Sequence, residues 1–381
     1  MENYIYFNNA ATSWPKPPEV IEAMKRNLTE CPVFGDRQNI ASAKDVVKIA
    51  REEIASLFEA PDSNRIVFGS NASELLNAII HGTLKSGDHA ISTYAEHNSV
   101  IRPLNTASKR NGVELTYVRV DERGYLDIDD FSKAFKDNTR LVVINHGSNV
   151  TGALQDIKKI SDIAFRHKVP LLLDASQTAG NIKISLKETP VAYLVFTGHK
   201  ALFGPRGIGG AYIAEGFDFP PFKQGGTGIL SEDPFQPERI PVRYETGTRN
   251  VPGIVGLTEG VRFVKKIGIS KIIEKKHALL SILIDAMKDN KKIILYSPDD
   301  LDKSVGTISF AIKNWLIDDI GYVLTNSFNI IIRTGLHCAP MIHEILGTLP
   351  IGTARISLSY FNSEEEVERL IKALNQISVL K

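Results

Sequence analysis

Cysteine is nearly absent: of 381 residues, only Cys31 and Cys338 carry a thiol. Two thiols cannot build a disulfide framework, a four-thiolate zinc site or an iron–sulfur cluster. A cysteine that matters here matters as a single reactive group. Charge of one sign is not in excess either, with 45 Lys and Arg against 44 Asp and Glu. No basic surplus points to nucleic acid or an anionic membrane as partner. Apolar runs such as 171–173 and 330–332 fall far short of a bilayer span. The start, Met1-Glu2-Asn3, carries no positive charge, and its apolar run 4–7 stops at Asn8, unlike a signal peptide. A cytoplasmic protein is the default expectation. Fixed-period repeats and low-complexity linkers are missing too.

What remains is a soluble globular composition, 43% hydrophobic and 23% charged, on a chain long enough for two domains. Short β-rich apolar runs at 66–68, 90–93, 114–118, 141–145, 170–174, 191–196 and 210–213 alternate with helical patterns at 73–84, 99–110 and 157–167. That alternation predicts a mostly parallel sheet with helices on both faces. Such sheets bind ligands outside the carboxyl ends of their strands, so residues just after strands are the candidates. Past Gly253 the pattern changes to long helices over 254–266 and 270–288, then short strands at 293–296, 306–311, 330–333 and 353–359. Ser363 and Glu366 have capping-box spacing for a last helix. The expected division is a segment 1–15 crossing the cleft, a large domain 16–253 and a smaller α+β domain 254–381.

Lys200 follows one apolar strand in Phe196-Thr-Gly-His-Lys200 and precedes the loop Gly204-Pro-Arg-Gly-Ile-Gly-Gly210. That loop is neither a phosphate-binding P-loop nor a dinucleotide turn in its strand–helix setting. A lysine at the mouth of such a sheet can form a Schiff base, although a lone lysine is usually a solvated charge. Asp174 ends a second buried-type strand, in Leu171-Leu-Leu-Asp174-Ala-Ser-Gln177. A fixed carboxylate there is what pyridoxal 5'-phosphate (PLP) needs to keep its ring nitrogen protonated; a helix cap is the plainer role. Lysine and aspartate together are far more specific than either alone. The turn Gly69-Ser-Asn-Ala-Ser73 before a helix suits a phosphate as well as it suits a serine cap. His97, in Tyr94-Ala-Glu96-His97-Asn98, follows another strand end and could lie on a ring or move protons; a lone histidine is more often structural.

These segments resemble a known family. Asn8-Asn-Ala-Ala-Thr12, Glu96-His97-Asn98-Ser99-Val100, Asn145-His-Gly-Ser-Asn149, Asp174-Ala-Ser-Gln177, Thr197-Gly-His-Lys200 and Tyr244-Glu-Thr-Gly-Thr248 are similar to class V aminotransferase-fold PLP enzymes. Arg333-Thr-Gly-Leu-His-Cys338-Ala-Pro resembles the group II cysteine desulfurases within that class, whose relatives include selenocysteine lyases. The resemblance implies PLP fold-type I: an α/β large domain with a mostly parallel seven-stranded sheet, plus the smaller C-terminal domain. It implies Lys200 as the lysine that carries the cofactor, His97 as the ring-stacking residue and Asp174 as partner of the pyridine nitrogen. Asn149 and Gln177 would hydrogen-bond near the phenolic oxygen. Ser73, Thr197 and His199 would hold the phosphate beside the Ala72 backbone, with Thr248 reaching in from a second subunit of a homodimer. Arg355 would grip the substrate carboxylate, assisted by Arg333. Cys338 would take sulfur from L-cysteine as a persulfide, for a sulfur-acceptor protein. Positive charge lowers a thiol's pKa from roughly 8.5, and Arg333 and His337 are near enough in sequence to supply it.

Selenocysteine lyase, another class V reaction such as transamination or β-elimination, and a non-catalytic descendant are the competing readings. An isolated cysteine is more often a small buried hydrophobe, and a metal site at His337, Cys338 and His343 lacks a fourth ligand. One stretch departs from the family: Cys31-Pro-Val-Phe-Gly-Asp-Arg-Gln38 has no histidine where relatives carry one.

Overall fold

The computed structural model of the chain describes residues 4–30 and 45–380. Both Cys31 and the histidine-free stretch lie outside the described residues. The chain opens with strand β1 (Ile5–Tyr6) and helices α1 (Pro18–Thr29) and α2 (Val46–Phe58). Then come β2 (Ile66–Gly69), α3 (Ala72–Thr83), β3 (His89–Thr93), α4 (Asn98–Asn111), β4 (Glu114–Val118), α5 (Ile128–Lys133), β5 (Thr139–Asn145), α6 (Ile157–Arg166), β6 (Leu171–Asp174), β7 (Tyr193–Thr197) and β8 (Gly209–Ile213). The seven strands β2 to β8 form one sheet in the order β2-β8-β7-β6-β5-β3-β4. Only β8 runs antiparallel, to both β7 and β2. The mostly parallel sheet read from the sequence is therefore present, with boundaries shifted by a residue or two.

Central strands β5, β6 and β7 are buried almost throughout. That is why they read as continuous apolar runs rather than alternating ones. Their register sets Asn145 beside Asp174 and Asp174 beside Val195, so β5 and β6 finish at one level and β7 runs two residues further. Helix starts are fixed by side-chain caps: Asp45 for α2, Asn71 for α3, His97 for α4 and Asp156 for α6.

Helices α7 (Val251–Ile267) and α8 (Ile269–Asp289) follow, joined at Gly268. Helix α7 packs on α1 and α2, and its Ile254, Leu257 and Val261 join the core of the large sheet. Leu280 and Leu283 of α8 belong instead to a second core, with Phe310, Ile356 and Leu370. That core lies on an antiparallel sheet in the order β12-β13-β10-β9, from β9 (Ile293–Leu295), β10 (Thr307–Ile312), β12 (Arg333–Gly335) and β13 (Thr353–Ser357). Around it stand α9 (Ile317–Phe328) and α11 (Glu364–Val379), the latter with the expected Ser363–Glu366 capping box, whereas Ile342 of the short α10 (Pro340–Ile345) joins the core of the large sheet.

One expected strand divides. Residues 330–333 split into β11 (Ile330–Ile331), which pairs in parallel with β1, and the start of β12. The chain changes partners at Ile332, which the apolar run conceals. The N-terminal segment thus contributes a strand, β1, to this pair. Among the described residues, no helix is long and apolar enough to cross a membrane.

Candidate active site

A cavity of about 230 Å³ opens at the carboxyl ends of β5, β6 and β7. Its wall brings together Lys200, Asp174, Gln177, His97, Asn149, Ser73, Ala72, Thr197, His199, Arg333 and Arg355. Cys338 lines the adjoining groove, which shares Ser73, His97 and Ser99 with the cavity. Its Sγ lies 3.4 Å from a terminal guanidinium nitrogen of Arg333, and the residue is exposed. Thr248 is the one predicted residue set apart. It is exposed and borders a different cleft with Ser70, Glu74 and Lys223. Its segment is anchored by Glu245, which accepts from Arg51 at 2.6 Å and from the Phe68 N–H at 2.7 Å.

Asp174 is buried, and one carboxylate oxygen accepts the Ser176 N–H at 2.9 Å. No helix follows it, so the capping role is absent. Lys200 is drawn down to about 8, chiefly by burial, against the opposing pull of Asp174 and with further lowering from Arg355 and Arg333. Its loop is held from the N-terminal segment. The His199 carbonyl accepts from Ser13 N at 3.0 Å and Lys16 Nζ at 2.8 Å, and the Lys200 carbonyl from Ser13 Oγ at 2.8 Å.

His97 caps α4 with its ring: Nδ1 accepts the Ser99 N–H at 3.0 Å, which leaves the proton of the neutral ring on Nε2. Burial, then the nearby Lys200, lower its pKa to about 4, so the ring is neutral at pH 7. Arg355 is 1% exposed; it donates to the Asn149 carbonyl at 2.9 Å and to Asn8 Oδ1 at 3.0 Å. Burial lowers its pKa to about 9, still a cation at neutral pH.

One expectation changes. His337 does not offer Cys338 a positive charge. Its ring is 2% exposed and turned to the Thr353 carbonyl at 3.0 Å, and burial, then Arg355, hold it far below the usual imidazole range. Of the two groups close in sequence, Arg333 alone brings a cation to the sulfur.

Several residues in or behind the wall belong to the motifs quoted above but have no role assigned from the sequence. Asn145 ends β5 as Asp174 ends β6, so the strand-end rule applied to residues 141–145 would have found it. Asn8 and Ala10 reach the site through contacts with β13 and Gln177 that local sequence cannot announce. Glu96 lies fully buried behind the wall, accepting from Thr93 Oγ1 at 2.7 Å and Asn145 N at 3.0 Å, and burial pushes its carboxyl up to about 8.

The arrangement offers an amine able to exchange protons near neutrality, a carboxylate, a neutral imidazole, two guanidinium groups and a thiol at the mouth. The family model for aminotransferase class-V matches residues 5–370. A probable cysteine desulfurase of Pyrococcus abyssi is 33% identical over 99% of this chain and 94% of its own. A cysteine desulfurase of Salmonella agona is 30% identical over 98% and 93% of the two chains. The apo structure of a cysteine desulfurase from Thermococcus onnurineus superposes with a TM-score of 0.90 at 30% identity, covering 98% of this chain and 94% of that one. With the parallel sheet, the lysine and the arginines in place, the chain belongs to the class-V aminotransferase family and, within it, groups with the cysteine desulfurases.

Proposed function

We propose that the protein converts L-cysteine to L-alanine with PLP held on Lys200, and keeps the sulfur as a persulfide on Cys338. The single observation that carries this is one cavity bordered by Lys200, Asp174 and Arg355, with the Cys338 thiol at its rim on Arg333.

The residues fit the cofactor. Thr197 Oγ1, His199 Nδ1 and Asn145 Oδ1 border the cavity as buried polar atoms without a partner among the described residues. Beside them begins α3, a twelve-residue helix whose first N–H groups, at Ala72 and Ser73, suit a phosphate. Ser73, Thr197 and His199 would hold that group, Asp174 the pyridine nitrogen, Asn149 and Gln177 the phenolic side, and His97 the ring face. When bound, PLP supplies an electron sink for the substrate's α-carbon. Lys200, with a pKa near ambient pH, is suited to take and return the α-proton at Nζ. Arg355, buried and already aligned by Asn149 and Asn8, grips the substrate carboxylate. Cys338 sulfur bonds to the substrate sulfur as the substrate's carbon–sulfur bond breaks. That bond's electron pair leaves with the carbon fragment, which takes up a proton to become alanine.

Separate apolar cores, those on the two faces of the large sheet and another on the antiparallel sheet, support reading the chain as a large unit and a smaller C-terminal unit with the site between them. Thr248, exposed and away from this cavity, is free to serve the site of a second copy in a homodimer. An exposed thiol at the rim favours hand-over of the sulfur to an acceptor protein. The test is incubation with cysteine and a mild reductant, with alanine and sulfide both quantified. Equimolar alanine and sulfide are expected, and pyruvate or keto-acid exchange in their place would overturn the reading. Alanine formed from selenocysteine but not from cysteine would turn it toward the lyase.

A further inference from the structure

Two successive residues of the Cys338 loop, neither of them glycine, lie in the left-handed region: His337 at φ 51° and Cys338 at φ 61°. Such a conformation is unfavourable for an L-residue and persists only where the surroundings over-determine it. Backbone anchors account for part of this. The His337 carbonyl accepts from Asn149 Nδ2 at 2.7 Å and the Cys338 carbonyl from the Asn98 N–H at 2.7 Å. At the loop's base Gly352 has φ 90°, and a Cβ there would lie 2.1 Å from the Gly335 carbonyl oxygen.

The side-chain anchor is the His337 ring. A carbonyl only accepts, so Nε2 carries the proton and shares it between Thr353 O at 3.0 Å and Thr353 Oγ1 at 3.1 Å. Thr353 Oγ1 donates to Ser309 Oγ at 3.1 Å, and Ser309 Oγ to the Val150 carbonyl at 2.7 Å. All four residues are buried. This chain of hydrogen bonds runs from the cysteine loop through β13 and β10 to the loop that carries Asn149.

We propose that His337 is a positioning residue, whose ring moors the left-handed turn to β13 and so keeps the Cys338 thiol against Arg333 at the cavity rim. It deepens the function proposed above and rests on that reading for its catalytic consequence. A loop cut from this mooring moves the sulfur, and a displacement of an ångström in a reacting group is costly.

The experiment uses full-length protein loaded with PLP and compares wild type, His337→Ala and His337→Gln. Alanine formation gives kcat and KM, and mass spectrometry of the Cys338 peptide gives its rate of alkylation by iodoacetamide at pH 7. His337→Ala is expected to lower kcat at least about tenfold with KM for cysteine within about twofold. Cys338 should alkylate at least about threefold more slowly once parted from the guanidinium. His337→Gln, which retains an N–H for Thr353, should recover most of both. Unchanged kcat and alkylation in His337→Ala overturn the proposal. Should that variant fail to fold, Ser309→Ala cuts the same chain beyond Thr353 and must lower kcat; an unchanged value there overturns it equally. Wild type that forms no alanine refutes the function while leaving the alkylation comparison to decide the mooring.

Discussion

The two sides of the cavity are built by different means. On the side of the large sheet, Asn145 and Asp174 end β5 and β6, where parallel register alone brings them level, and Thr197 ends β7 two residues past Val195, the partner of Asp174. On the side of the antiparallel sheet, Arg333 and Arg355 face each other across the β12–β13 register, and Cys338 stands on a left-handed turn beyond β12. The first side derives its geometry from topology. The second depends on particular hydrogen bonds, those of Asn8, Asn149 and Thr353 among them. On the proposed reading, the groups that would hold the cofactor sit on the frame set by topology, and those that would meet substrate and acceptor on the one set by individual hydrogen bonds.

The sharpest way to break this comparison is to remove one group from each side. Lys200→Ala should abolish both alanine formation, by more than about 10³-fold, and the yellow colour of bound cofactor. Cys338→Ser should also cost cysteine turnover about 10²-fold or more, yet leave the colour intact. Absorbance spectra beside alanine assays decide it; loss of colour in Cys338→Ser would mean that the two sides are not separable. Arg355→Lys comes next. A lysine cannot reproduce the fork that Asn149 and Asn8 align, so KM should rise about tenfold or more while the cofactor spectrum stays as in wild type. Steady-state kinetics with cysteine check this.

The smallest effect concerns the frame itself. The buried Glu96 carboxyl is raised from 4.5 to about 8, so the folded state holds its proton where the unfolded state has lost it. Its contribution to stability is full below about 4.5 and is lost as pH rises toward 8. Glu96→Gln should flatten that part of the stability profile, measured as urea midpoints from pH 5 to 8. An unaltered slope would show that Glu96 is not the group responsible.

Much of the frame was legible in advance because it rests on local signals. Apolar runs before Asp174 and Lys200 named the strands, and polar residues right after them named most of one wall. The other wall was harder. Arg333, Arg355 and Cys338 came from resemblance, not from periodicity, since a short antiparallel sheet leaves only brief ambiguous runs. The split of residues 330–333 between two sheets was hidden because β1, the partner of its first half, lies at the far end of the chain. His337 was misjudged for a related reason. Proximity in sequence to Cys338 says nothing about where a ring turns, and burial against β13 decided its charge.

The stretch from Ile5 to Lys16 has a consequence for how the molecule is made. It pairs with Ile330 and Ile331, bonds Ser357 across 348 positions of sequence, and holds the carbonyls of His199 and Lys200. At about 5–20 residues per second of synthesis, this stretch waits tens of seconds for its sheet partner. The cavity, whose wall includes Arg333 and Arg355, can thus form around the amine-bearing loop only after those residues have been made, so the nascent chain is catalytically silent until then.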